Sequence, residues 1–397
     1  MGYDIPQERS RIMKVGIIEV MPLGHFTLVE SVMEVFASDC KNEIFIFTHR
    51  YGSGIITPVV KDKKNVHVVT KDEVESLSHF FKRIGSFQID KLYIITLEKY
   101  FKEFYSAKFN SQVVLLIHNI DEWSNFSFGY NINCFLFSFS NLSLIYNLKK
   151  YLIYPYWRKK ILNKQLQSNG KFVVLSENLR PKLSYIVPAG KTEVIPFSVY
   201  NKNLADKSGA NTILKVSIPG KLSTMRRDYT TVFTALESDI DFFKDKIELL
   251  LLGSIAEYEG GLSIKAEADR LISKGIKIKY FSEKFIPFEE YDEHFASTDI
   301  VLGNMKVVID KLSIYGKTKE TGFTFTLIHY AKPGLVVSGY DIFEELKSST
   351  VAYTGARELR NILNEIITNK EKLRHLKEEA KKNSLLFSPG NIYKKLK

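Results

Sequence analysis

Lys221 and Arg226 stand five residues apart in IPGKLSTMRRDY (218–229), with Arg227 beside the second. Lys221 follows the end of an apolar run, and Arg226 opens the next helical pattern. Cationic groups so placed match the negative charge that builds on a leaving diphosphate. A solvated basic turn would read the same way in a chain of net charge +11. A second candidate anion site comes later, in YGKTKETGFTFTLIHYAKPGLVV (315–337). Here Thr321, Gly322, Phe323 and Thr324 begin a short apolar helix, with Lys317 and Lys319 just ahead of it. The first N–H groups of a helix have no intrahelical partner and carry partial positive charge, so such a start can hold a phosphate. Gly322 would admit a ligand close to the backbone, and Thr321 and Thr324 would add hydroxyl donors. An ordinary N-cap before a core helix would use the same residues.

Two histidines stand where an α/β sheet presents groups to a ligand. His25 follows Gly24 at a helix start, and His118 ends the strand-like LLIHN (115–119). Each would also serve as an ordinary structural histidine. The eight His are scattered, and no Walker motif, G-x-G-x-x-G, serine nucleophile elbow or His-Glu-x-x-His occurs. These absences argue against a P-loop NTPase, a dinucleotide oxidoreductase, a serine hydrolase and a zincin. No Asp-x-Asp ends a strand.

The elements that must position these groups alternate strand and helix. MKVGIIEV (13–20), EIFIFTH, NVHVVT, KLYIITL, QVVLLIHN, KFVVLSE and EVIPFSV are short apolar strands, and HFTLVESVMEVFAS (25–38) has helical spacing. After a polar stretch the pattern restarts with ILKVSIPG, DYTTVFTALES, IELLLLGS, IKIKYFS and DIVLGN, and residues 356–384 read as a charged helical stretch. A chain of 397 residues is too long for one ordinary core. The expectation is α/β: two Rossmann-like, doubly wound domains, 12–200 and 212–380, joined by a linker at 201–211, with a tail at 381–397 able to cross back. Ligands of such sheets bind at the carboxyl ends of the strands, so the site belongs in the cleft between them. Cys40 and Cys134 are the only cysteines, which suits a reducing compartment. The N-terminus MGYDIPQERSRIMK has no apolar signal region, and no apolar run is long enough to span a bilayer.

From Trp123 to Ser176 there is no Asp or Glu, and aromatics interleave with Lys149, Lys150, Arg158, Lys159, Lys160 and Lys164. Tyr and Trp favour a membrane interface, and Lys and Arg attract anionic headgroups, so a peripheral membrane contact is expected on the N-terminal domain. A helical layer packed into that domain is the other reading. No nucleic-acid-binding fold is recognised, and nucleic acid is not expected as a partner.

Taken in order, several of these segments resemble the GT-B glycosyltransferases, particularly the retaining, family-4-like nucleotide-sugar enzymes. The segments are Gly24-His25 after the first strand, LLIHN, VVLSENL followed by VIPFSV, IPGKLSTMRRDY, LLLLGS, PFEEYDEHFASTDIVLG and TGFTFTLIHYAKPGLVV. The resemblance implies a sugar moved from a nucleotide diphosphate donor to a glycan or lipid-linked acceptor, with retention and without metal, in cell-surface polysaccharide or lipopolysaccharide synthesis. It places the enzyme in the cytoplasm, on the inner face of the membrane. It puts Lys221, Arg226, Arg227, Gly253, Thr321, Gly322, Phe323, Thr324 and His329 at the donor, Gly24 and His25 on the acceptor side, and His118 with Glu320 at the chemistry. Aligning the Gly-Phe pairs leaves Thr321 and His329 where the family has its two glutamates, with Glu320 one residue ahead of the first. That departure keeps two alternatives open: a non-hydrolysing nucleotide-sugar epimerase, or a degenerate GT-B subunit that binds without turnover.

Overall fold

Strands that are apolar on both faces require cover on both sides, and parallel sheets sandwiched by helices supply it. The computed structural model describes residues 12–21, 25–124, 126, 148–202, 204, 206–208, 213–282, 286–309 and 313–397. Its N-terminal sheet holds β1 (Lys14–Glu19), β2 (Glu43–His49), β3 (Val66–Lys71), β4 (Lys91–Ile94), β5 (Gln112–Leu116), β6 (Lys171–Val174) and β7 (Thr192–Val194). All are parallel, in the order 3-2-1-4-5-6-7. The C-terminal sheet holds β8 (Leu214–Pro219), β9 (Ile247–Leu252), β10 (Lys277–Tyr280), β11 (Ile300–Gly303), β12 (Gly334–Val337) and β13 (Thr350–Tyr353), parallel in the order 10-9-8-11-12-13. Strand order reverses at β1 and at β8, the points where doubly wound sheets open a crevice for ligands.

Helices follow their apolar stripes. α1 (Phe26–Ala37) buries Leu28, Val29, Val32, Met33 and Phe36 against the sheet. α2 (Arg50–Val60) forms although RYGSGIITPVV carries two glycines and Pro58 and is a poor helix former. The His49 ring starts it by accepting the Gly52 N–H at 3.0 Å. The charged stretch 356–384 is two helices, α6 (Ala356–Thr368) and α7 (Lys370–Leu385). They divide at Asn369, whose side chain caps α7 by accepting the Lys372 N–H at 3.1 Å. Three further helices bear on the site: α3 (Tyr154–Gln167), α4 (Tyr229–Glu237) and α5 (Gly322–Tyr330). The final helix, α8 (Pro389–Leu396), lies on the N-terminal domain. There the Tyr393 ring packs 5.6 Å from Phe36, and its hydroxyl accepts from Asn42 at 3.0 Å.

The two domains meet across a seam of ring and hydrogen-bond contacts. The Phe197 and Phe325 rings meet at 5.7 Å, Ile120 N–H donates to the Thr318 carbonyl at 3.0 Å, and Asn178 donates to the Asp341 carbonyl at 2.8 Å. Behind the seam, buried Lys332 holds Asp206 at 2.7 Å and the Ala296 carbonyl at 3.1 Å, fastening the connecting segment to the C-terminal domain. Among the described residues, no helix is long and apolar enough to cross a membrane.

Candidate active site

On the C-terminal side the site is built from the ends of β8, β9 and β11. Gly253 follows β9 so closely against β8 that an added Cβ would lie 2.2 Å from the Gly220 carbonyl oxygen. Backbone packing alone demands a glycine here, so assigning Gly253 to the donor is unnecessary. The Arg227 guanidinium folds over Gly220 and donates to Asn304 at 3.3 Å. Around it the backbone is zipped: Asp228 N–H donates to the Asn304 carbonyl at 2.8 Å, and Lys306 N–H to that of Arg226 at 2.9 Å. Arg227 is thus committed to joining two loops. Lys221 and Arg226 are exposed; the nearest carboxylate to Arg226 is Glu259, at 4.0 Å. These two remain available to an anion in the cleft.

α5 begins beside this junction. Thr321 is its N-cap, and its hydroxyl accepts the Phe323 N–H at 3.4 Å. A Cβ on Gly322 would meet nothing within 4 Å, so the fold leaves open space over this helix start. The neighbouring residues correct the sequence reading. Phe323 is fully buried, its ring against the end of β11 at Gly303, and is core rather than donor contact. Thr324 is also fully buried, and its hydroxyl lies 2.5 Å from that of Tyr340. Tyr340 donates its proton to Glu320 at 3.0 Å, so Thr324 must donate to Tyr340 and has none to offer a phosphate. Glu320 also receives the Ser176 hydroxyl from the opposite domain. Burial pushes its carboxyl up to about 7 despite these donors. Here Glu320 braces the cleft instead of turning toward a sugar. His329 lies at the other end of α5. Its Nδ1 donates to the Val199 carbonyl at 2.9 Å, and its own carbonyl accepts the Asn201 N–H at 3.2 Å. It latches the helix to the interdomain connection, away from the donor loop.

On the N-terminal side His25 and His118 come together, ring centroids 4.2 Å apart, with the Phe197 edge 5.7 Å from His25. Through Phe197 and Phe325 this pair adjoins α5 one turn beyond Gly322. The His118 Nε2 donates to the Ile95 carbonyl at 3.0 Å, which leaves Nδ1 as an acceptor. Burial and the neighbouring His25 hold His118 down at about 3, and burial lowers His25 also. Two neutral imidazoles can orient a hydroxyl, but His118 is too weakly basic to carry a proton far at neutral pH. Gly24 lies outside the described residues. Sequence reasoning met Ser176 only as part of VVLSENL and missed Asn304 and Tyr340, which carry no signal until the fold brings them in. It also missed Glu19, whose lone carboxylate in the apolar VGIIEV was a usable signal.

The aromatic, basic segment is described only in part, since 127–147 lie outside the described residues. Within α3, Arg158 is buried, paired with Glu122 and 5.6 Å from the Phe101 ring. Trp123 is buried as well. Both belong to the packed layer and not to a lipid-facing surface. A stripe of Lys149, Ile153, Tyr156 and Lys160 remains at the surface, with Ile153 40% and Tyr156 54% exposed.

No family model matches the chain, and no curated protein does. Solved structures do. HepE of Anabaena in complex with UDP and glucose superposes with a TM-score of 0.60 at 15% identity, covering 97% of this chain and 98% of that one. A glycosyltransferase from Rickettsia africae gives 0.62 at 13%, covering 97% of each chain. A proposed UDP-N-acetylglucosamine 2-epimerase from Listeria monocytogenes gives 0.56 at 10%, covering 97% and 95%. At these identities the likeness is one of fold, and it runs the length of the chain: two Rossmann-like domains about a central cleft, the GT-B architecture.

Proposed function

We propose that the chain is a glycosyltransferase that takes a sugar from a nucleotide diphosphate donor, most simply a UDP-sugar, and passes it to a glycan or lipid-linked acceptor. The observation that carries the proposal is the open helix start at Gly322, flanking the same strand end as the Lys221–Arg226 loop, in a fold that HepE uses to hold UDP and glucose. The α5 amides would receive the diphosphate, and Lys221 and Arg226 would neutralise it without a metal. The His25–His118 pair would face the acceptor hydroxyl. Retention of configuration is part of the proposal, as is work at the inner membrane face in cell-surface glycan synthesis.

Turnover of a UDP-sugar panel with the chain, followed by NMR of the anomeric proton in the product, tests the reaction and its stereochemistry. Undiminished turnover in EDTA is expected. A free UDP-sugar inverted at C2 would identify an epimerase instead, and nucleotide binding with no product would identify a binding subunit. Arg226→Ala is expected to weaken UDP binding by about 1.5 kcal/mol, the low end for charged hydrogen bonds, because the side chain is 57% exposed. Unchanged affinity by calorimetry would remove Arg226 from the donor site.

The exposed stripe running from the preceding turn into α3 supports the membrane part of the proposal. Lys160 stacks over the Tyr156 ring at 4.6 Å, which keeps a cation and an interfacial aromatic together. Neutralising Lys149, Lys159 and Lys160 together should release the protein from anionic vesicles, and salt should do the same to the parent. Equal co-sedimentation of parent and variant would leave α3 as a packed layer only.

A further inference from the structure

We propose that Glu19 is a positioning residue that sets His25 against His118 by fastening both ends of the β1–α1 connection. The inference rests on the cleft being the transfer site. Glu19 is the last residue of β1 and is fully buried. Its Oε1 accepts the Met21 N–H at 2.9 Å; its Oε2 accepts the His25 N–H at 3.2 Å and the Thr96 hydroxyl at 2.5 Å. A buried carboxylate is costly unless donors converge on it. Three do here, and no cation shares them among the described residues. An apolar side chain would fill the same position without that cost, so packing does not explain the residue. Two of the three donors are backbone amides at the two ends of one connection, and the third comes from the end of the neighbouring strand β4. Glu19 therefore ties Met21, just past β1, to His25, just ahead of α1, and pins both to the sheet.

The consequence falls on His25. It occupies the N-cap position of α1, yet its side chain makes no capping bond. The ring is free to lie on His118, and the amide held by Glu19 fixes where that ring begins. Charged and titratable groups around the carboxylate are Glu98 beyond β4, His25 itself, and His118 at the end of β5. Burial lifts Glu19 to about 7. A protonated carboxyl accepts more weakly and needs an acceptor for its own proton, so the fastening is strongest in the ionised form.

Glu19→Gln keeps the shape but turns an amide N–H₂ toward one of the donors. In the full-length variant, hydrogen exchange at the Met21 and His25 amides should accelerate about tenfold or more, while the rest of β1 stays protected. The ring-current shifts between the His25 and His118 imidazoles should collapse in NMR spectra. With the UDP-sugar that the parent uses, kcat should fall about 10–100-fold, the cost of a misplaced group, with the donor KM unchanged. Thr96→Val, which removes one donor and leaves the fold alone, should move the acid limb of the kcat profile to higher pH. Unaltered amide exchange and imidazole shifts in both variants would overturn the proposal, whether or not the chain transfers sugar. Loosened amides with parental kcat and pH profile would overturn it too. A parent without turnover would defeat the transferase reading alone, and the exchange and shift measurements would still decide whether Glu19 places His25.

Discussion

Gly322→Val is expected to abolish binding of UDP and UDP-sugars while unfolding within about 1 kcal/mol of the parent. Nothing lies within 4 Å of the position a Cβ would take, so the folded chain has room for the side chain. Valine is also no worse than glycine at a helix position, since it removes backbone freedom from the unfolded chain. A stability loss is therefore not available as an explanation for lost binding. What the isopropyl group would occupy is the space in front of the first α5 amides, where a diphosphate must approach to within hydrogen-bonding distance. Calorimetry with UDP, paired with urea unfolding, checks both halves. Parental affinity would return this helix start to an ordinary capped core helix. Gly253 shows why the distinction matters: a Cβ there would strike the Gly220 backbone, so its glycine is required by the fold and says nothing about a ligand.

The sheets were legible because strands covered on both faces are written as unbroken apolar runs, and each of β1, β2, β5, β8, β9 and β11 coincides with one. The helix between β2 and β3 was less legible than the strands, because its start depends on a His49 ring bond that no propensity scale contains. In the candidate site, legibility stopped at side-chain direction. Sequence places Thr321, Gly322, Phe323 and Thr324 together at a helix start, but successive helical positions point different ways. Only the fold shows that Phe323 and Thr324 turn inward to Gly303 and Tyr340, while Gly322 stays open. Family position misled in the same way at His329, which stands where a donor glutamate was expected and instead holds the Val199 carbonyl. Arg158 read as a membrane contact because its partner, Glu122, lies just outside the acid-free stretch and far from it in sequence. Lys221 and Arg226 are exposed, with few neighbours to redirect them, which suits an anion site and a solvated basic turn alike.

Ser176→Ala is expected to destabilise the protein by about 2–3 kcal/mol at pH 8 and by only about 1 kcal/mol at pH 5.5. The difference follows from the state of Glu320, the acceptor of the Ser176 hydroxyl across the cleft. Burial raises this carboxyl from 4.5 to about 7, so between those values the native state holds a proton that the unfolded chain has released. For an acid raised in this way, the favourable contribution is present below the unfolded value and is lost as pH rises toward 7. At pH 8 the carboxylate is ionised and relies on three donors, the Ser176 and Tyr340 hydroxyls and the Thr321 backbone N–H. Removing one strips a charged hydrogen bond, whereas at pH 5.5 the same substitution costs a neutral one. Urea unfolding of parent and variant at the two pH values reads the difference directly. Equal losses would show that Glu320 does not ionise across this range and that the bond to Ser176 is an ordinary polar contact. Unequal losses would identify Glu320 as a charged brace between the domains. In that case the residue preceding Thr321 and Gly322 cannot turn toward a donor sugar without first giving up its hold on the opposite side of the cleft, and donor engagement and domain opening become one event.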